Sequence, residues 1–177
     1  MSLAAGEGFW TWSLATYDQP GVAAKLLALQ DKLALNVNVL LWCCWMAERF
    51  AEPPDYVLRK AIDLTRRWSN EVTEPLRSAR RALKTPLLQT EGAIAAALRD
   101  QVKAAEIESE RIEQSMLAAL AAAELTPAEG GYPQARRILA RYAGLAGAVG
   151  RAGFSTLLLD DLARSVFPSD APSRLEA

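Results

Sequence analysis

Apolar residues recur at helical spacing along almost the whole chain. Phe9, Trp10, Leu14 and Tyr17 mark a short helix over 9–17, and Asp18-Gln19-Pro20-Gly21 ends it. Pro20 suits the first turn of the next helix, with Asp18 or Gln19 as its cap. Val22, Leu26, Leu29 and Leu33 give that helix one apolar face. A third helix runs from about Asn36, a good N-cap residue, to Phe50. It is apolar nearly all round, which predicts a central buried helix.

Glu52-Pro53-Pro54-Asp55 is a break, and from Pro54 the pattern stays helical for about thirty residues, to Thr85-Pro86. At about 100° per residue, Val57, Ala61, Leu64, Trp68, Val72, Ala79, Ala82 and Leu83 share one face. Arg59, Arg66, Arg77, Arg80, Arg81 and Lys84 share the opposite one. Pro75 lies on the apolar side and predicts a kink. Another long helix spans about Leu87 to Leu125, with Ile94, Leu98, Val102, Ala105, Ile112, Met116 and Leu120 as its inner stripe. A tight turn between two long helices predicts an antiparallel hairpin over 54–125. That register sets Glu106, Glu110 and Glu113 near Arg59, Arg66 and Arg67.

Thr126 to Pro133 reads as a loop, followed by a helix through Ile138, Leu139 and Tyr142. Gly144, Gly147, Gly150 and Gly153 then recur every third residue, which predicts a frayed end or a loop of tight turns. Ser155 caps a last helix through Leu157, Leu158, Leu162 and Val166, closed by Pro168. The expected fold is therefore all-α: a single domain over 1–168 of six or seven helices, with a loose tail over 169–177. Within it, 8–50 supply aromatic-rich core helices, 54–125 the long hairpin and 133–168 the C-terminal helices.

Composition narrows the chemistry. The 177 residues include no histidine, which excludes a Ser-His-Asp or Cys-His relay and any histidine-ligated metal. The two cysteines, Cys43 and Cys44, are adjacent, cannot form an unstrained disulfide and are too few for a zinc site. Buried, reduced thiols in a cytoplasmic protein are the expectation. The net charge of −1 gives no global pull on nucleic acid or acidic membrane. The charge is uneven, with eight Lys/Arg against five Asp/Glu over 51–90 and three against seven over 91–125. No signal peptide is visible, and the longest apolar run, Leu33 to Ala47, is shorter than the ~20 residues of a membrane span.

Three constellations remain as candidate sites. Four of the five tryptophans, Trp10, Trp12, Trp42 and Trp45, crowd the first fifty residues, interleaved with Gln30, Asp31, Asn36 and Asn38. Trp10, Trp12, Gln30, Asp31 and Asn38 would form a ligand pocket with aromatic walls and convergent polar groups. The simpler reading of the same residues is a capped helix junction. Arg77, Arg80, Arg81 and Lys84, at i, i+3, i+4 and i+7, make a compact cationic face suited to phosphate. Asp63 and Glu74 on that face, and the lack of any reading element, weigh against nucleic acid. Glu71-x-x-Glu74 and Glu110-x-x-Glu113 pair carboxylates one turn apart. The Glu-x-x-Asp that completes the magnesium set of all-helical nucleotide pyrophosphatases, Glu52 to Asp55, comes too early and spans a double proline. No catalytic residue, metal or cofactor is assigned.

Phe9-Trp10-x-Trp12, Pro20-Gly21-Val22, Leu29-Gln30-Asp31 and Val37-Asn38-x-Leu40-Leu41, in that order, resemble an uncharacterised proteobacterial family of unknown function. The resemblance covers roughly 8–85 and implies a small, cytosolic, helical bacterial protein. One departure is Ala34, where the family pattern has glycine. The resemblance carries no activity. The expectation is a non-enzymatic protein-interaction module, homodimeric through the long hairpin, with no membrane or nucleic-acid partner. A small-molecule binder or enzyme at the Trp/Asn cluster is the alternative, and nucleic-acid binding through the basic face is the weaker one.

Overall fold

A computed structural model describes residues 3–84 and 92–171. The described chain is all-α. Its elements are α1 (Leu3–Tyr17), α2 (Val22–Leu33), α3 (Val37–Arg49), α4 (Asp55–Trp68), a π-helical turn (Ser69–Thr73), α5 (Glu74–Ala82), α6 (Gly92–Glu124), α7 (Tyr132–Leu145) and α8 (Thr156–Val166). Counting α4, the π turn and α5 as one rod gives seven helices among the described residues. Two compact units are distinguishable: one holds the chain up to Ile62 together with Gln114 onward, the other holds Asp63–Glu113.

In the first unit α3 is the hub. Every side chain from Val39 to Ala47 is buried, as the all-round apolar pattern predicts. α1, α2 and α7 pack on it, and α8 covers α2 and α7. Asn36 caps α3 by accepting the Val39 N–H at 3.1 Å, and Ser155 caps α8 through the Leu157 N–H at 3.2 Å. α1 begins at Leu3, well before residue 9. The cap of α2 is neither Asp18 nor Gln19. It is Gly21, at φ 78°, a left-handed turn that favours glycine and leaves no side chain to bond the helix. The proline break is held by Arg141, which binds Glu52 at 3.1 Å, the Pro53 carbonyl at 2.7 Å and Asp55 at 2.5 Å. Cys43 and Cys44 are unlinked and buried, and burial pushes the Cys44 thiol up to about 12.

α2 stops on Ala34, whose backbone is left-handed at φ 53°, ψ 33° while its N–H still reaches the Gln30 carbonyl at 2.8 Å. A left-handed stop of this kind ordinarily favours glycine. The left-handed stop is thus kept with alanine, at a conformational penalty of about 1–2 kcal/mol. Ala34 is exposed, so its methyl group gives little back. We expect Ala34→Gly to stabilise the protein by about 0.5–1 kcal/mol, after the larger entropy of glycine in the unfolded chain is deducted. Urea titration checks it; a loss of stability would mean that the Ala34 methyl packs in a way its exposure does not show.

The glycine run forms tandem turns. Gly147, Gly150 and Gly153 all have positive φ, at 72°, 92° and 83°. The Ala148 N–H returns to the Ala143 carbonyl, then Arg151 to Ala148 and Phe154 to Arg151, each at 2.9–3.1 Å. The three-residue period is the repeat of a turn with glycine at its left-handed corner. The remaining expectation, a loose tail, falls for 172–177 outside the described residues.

The second unit departs most from the sequence pattern. Pro75 does not simply kink a helix. The turn before it is π-helical, and the Glu74 N–H bonds the carbonyl of Ser69, five residues back. The proline ring would press on the Glu71 carbonyl in a regular helix, and one extra residue in the turn relieves that clash. An inserted residue also rotates everything after it by about 100°. Leu58, Ala61 and Thr65 are buried before the turn; afterwards Thr73 is buried and Arg77 and Arg80 are half-buried, while Ala79 and Ala82 face solvent. Beyond Pro75 the predicted faces are therefore partly exchanged, with Arg81 and Lys84 still exposed and Leu83 half-buried.

α6 answers in kind. Its buried residues in this unit are Glu106, Ser109 and Glu113. Ile94, Leu98 and Ile112, predicted to point inward, are 73, 48 and 38% exposed, and Ala105 is exposed as well. The helix presents polar groups to the polar face that the π turn has rotated toward it.

Candidate functional site

The aromatic–amide cluster is built on α1 and α3. Phe9 is fully buried and its ring stacks, tilted, 5.0 Å from Trp45 and 6.4 Å from Trp12. Trp45 in turn lies 5.3 Å from Phe50. These distances suit offset aromatic packing. The half-buried Trp12 donates its indole N–H to Glu48 at 2.8 Å. The indole N–H groups of Trp42 and Trp45 are buried without a protein acceptor, so packing alone holds them.

Asn38 does not open on free space. Its Oδ1 accepts from Gln114 Nε2 at 2.8 Å, and Gln114 Oε1 lies 2.8 Å from the hydroxyl of the buried Ser13. That hydroxyl is also 2.8 Å from the Trp10 carbonyl, and its single proton serves either acceptor. Asn36 and Tyr142 close the junction, the backbone N–H of Asn36 donating to the Tyr142 hydroxyl at 3.0 Å. Gln30 contributes its carbonyl to the α2 stop, and Asp31 is exposed. The five predicted pocket residues thus do not converge on one point. Trp10 and Asn38 belong to a connected polar seam through Ser13 and Gln114, Trp12 to a neighbouring pair with Glu48, and Asp31 to the surface. Ser13, Glu48, Gln114 and Tyr142 were not singled out by sequence. Their partners lie 36 to 106 residues away, and no local motif marks such distant pairs.

The basic face is neutralised from within its own unit. Arg77 binds Glu74 at 2.8 Å, Glu106 at 3.1 Å and Glu110 at 2.8 Å. Arg80 reaches Glu106 at 2.5 Å, and Arg81 lies 3.7 Å from Glu74. Lys84 is exposed. Glu106 and Glu110 pair with Arg77 and Arg80, not with the predicted Arg59, Arg66 or Arg67; Arg66 instead binds Asp63 at 2.6 Å and Arg67 binds Glu71 at 3.0 Å. The π turn brings Arg77 and Arg80 round to α6, while Arg59, Arg66 and Arg67, which precede it, are exposed. Arg80 and Arg77 hold the Glu106 carboxyl below its usual range despite its burial, whereas burial pushes Glu110 up.

Two other places are open to ligands or partners. A groove of about 630 Å³ runs along α7 and the start of α8 past Tyr132, Arg136, Arg137 and Leu159. Its arginines are committed, Arg136 to Asp160 at 3.2 Å and Arg137 to Glu52 at 2.9 Å. The second is the outer face of α6, where Leu98, Ala105 and Ile112 recur every seven residues with Ile94 beyond them. Among the described residues, no group of three or more Cys, Asp or Glu side chains is placed to hold a metal ion, and no helix is long and apolar enough to cross a membrane.

A family model described as Protein of unknown function (DUF2390) matches residues 8–117. The matched span contains all four motif segments and reaches beyond residue 85, where the motif resemblance fades, through the outer stripe of α6. No curated protein and no solved structure matches the chain.

Proposed function

The chain belongs to the DUF2390 family of proteins of unknown function, and on that footing we propose that it is a non-enzymatic protein-interaction module that docks through the outer face of α6. The observation that carries this reading is the inverted polarity of that helix. It buries Glu106 and Ser109 against its own unit and turns Ile94, Leu98 and Ile112 to solvent. A helix with nothing to bind would be expected the other way round.

The occupant we propose is a second copy. Leu98 and Ile112 stand seven residues either side of Ala105. An antiparallel, two-fold pairing sets Leu98 of one copy against Ile112 of the other, with the small Ala105 side chains at the crossing point. Two buried, unlinked thiols favour a reducing, cytoplasmic setting for such a module.

Sedimentation velocity over a wide concentration range tests this. The unaltered chain is expected to sediment as a dimer at the upper end, and Leu98→Glu with Ile112→Glu as a monomer with unchanged helicity. A monomer at every concentration for the unaltered chain would remove self-docking. An unchanged dimer in the double variant would move the interface elsewhere.

A further inference from the structure

The inner face of α6 has a different property. We propose that α5 is an electrostatically latched arm, which lifts from α6 as a unit with the π turn as its hinge. α5 has no buried residue at all. Ion pairs join it to α6: Arg77 to Glu106 and Glu110, and Arg80 to Glu106. The remaining charged groups in this set, Glu74 and Arg81, bind within α5 itself.

The character of the contact changes at the π turn. There the hydroxyls of the buried Thr73 and Ser109 lie 3.2 Å apart, and the Trp68 indole donates to the Ser109 carbonyl at 3.0 Å. These links are neutral, short and shielded, so they hold in salt. The ion pairs beyond them are more exposed, the Arg77 and Arg80 side chains at 24 and 25%. Added salt screens such pairs. Once lifted, a helix of nine residues is too short to keep its own hydrogen bonds for long, so opening and fraying coincide. Opening uncovers the carboxylates of Glu106 and Glu110 and releases Arg77 and Arg80 from them. The latch thus hides an acidic face and a basic one with the same movement.

Amide hydrogen exchange on the full chain, read by mass spectrometry, tests the latch. It is run at neutral pH in about 20 mM and about 500 mM NaCl, where the screening length falls from roughly 20 Å to 4 Å. α5 amides are expected to exchange roughly tenfold faster at the higher salt, while α3 amides do not change. Arg77→Gln with Arg80→Gln is expected to give fast α5 exchange at both salts. Salt-insensitive α5 amides in the unaltered chain, or α5 protection equal to that of α3, would overturn the proposal. Should the double variant not fold, the salt response of the unaltered chain decides by itself. Dimerisation through the outer face is read separately by sedimentation, so failure of one idea leaves the other standing.

Discussion

Gln114→Ala is expected to lower the stability of the protein by about 2–4 kcal/mol. Gln114 is 3% exposed and sits between Asn38 and Ser13, 76 and 101 residues away along the chain. It ties α6 to both α3 and α1 within the first unit. Truncation removes two hydrogen bonds and leaves a cavity where the amide stood; either effect alone amounts to about 1–3 kcal/mol. Ser13 keeps the Trp10 carbonyl, so its loss is the smaller part. The Oδ1 of Asn38 loses the Gln114 amide that now donates to it. Gln114→Leu separates the two effects. It refills most of the volume but offers no donor, so a penalty of about 1–3 kcal/mol should remain. Urea melts of both variants provide the measurement. A change below about 0.5 kcal/mol for Gln114→Ala would show that the seam is not holding these helices together.

Gly130→Ala is expected to cause a loss of similar size, about 2–4 kcal/mol, for a steric reason. A methyl group there would stand 2.4 Å from the Ala47 carbonyl and 2.4 Å from the Gln134 amide. The Gln134 side chain can swing away, but only by releasing the Phe50 carbonyl, to which it donates at 2.7 Å. The Ala47 carbonyl belongs to the backbone of the buried hub helix and cannot follow. This loop is bound to the end of α3, with the Ala51 N–H on the Thr126 carbonyl at 2.9 Å and the Ala128 N–H on the Arg49 carbonyl at 3.0 Å. The variant must therefore loosen that seam. Gly131→Ala is the matched control. Its methyl group would meet only the Asp170 carboxylate, the end of a movable side chain on an exposed residue. Thermal melts should show Gly130→Ala falling several degrees further than Gly131→Ala. Equal shifts would mean that the approach to Ala47 is not what demands glycine.

How much of this could be read from the sequence depended on the range of the determinant. Asn36 and Ser155 act on amides two or three residues away, and the sequence shows both as caps. The apolar surround of α3 needs no partner to be recognised, and it marks the buried helix directly. The glycine period announces turns because the left-handed corner is a property of the residue itself. Gln114 shows the opposite case. Beside Glu113 and Ser115 it looks like one more polar helix residue, and only the fold brings Asn38 to it. The residues of the two candidate sites are spread apart or already paired for related reasons. Asp31 lies one residue beyond Gln30, a step of about 100° that carries it to the surface. The basic face was correctly grouped, but its direction was wrong, because a regular repeat was carried across a turn that is not regular.

That turn has a consequence for comparing this protein with its relatives. Helical faces behave like a reading frame, and Ser69–Thr73 is a one-residue frameshift. A homologue of the same length that wound this segment as regular α-helix, without Pro75, would keep nearly every letter of the downstream sequence yet show it from another side. Ala79 would then turn inward in place of Arg80. The charged clasp between α5 and α6 would become an apolar one. An ungapped alignment with a helix-forming residue in place of Pro75 therefore separates an arm that salt can release from one that it cannot.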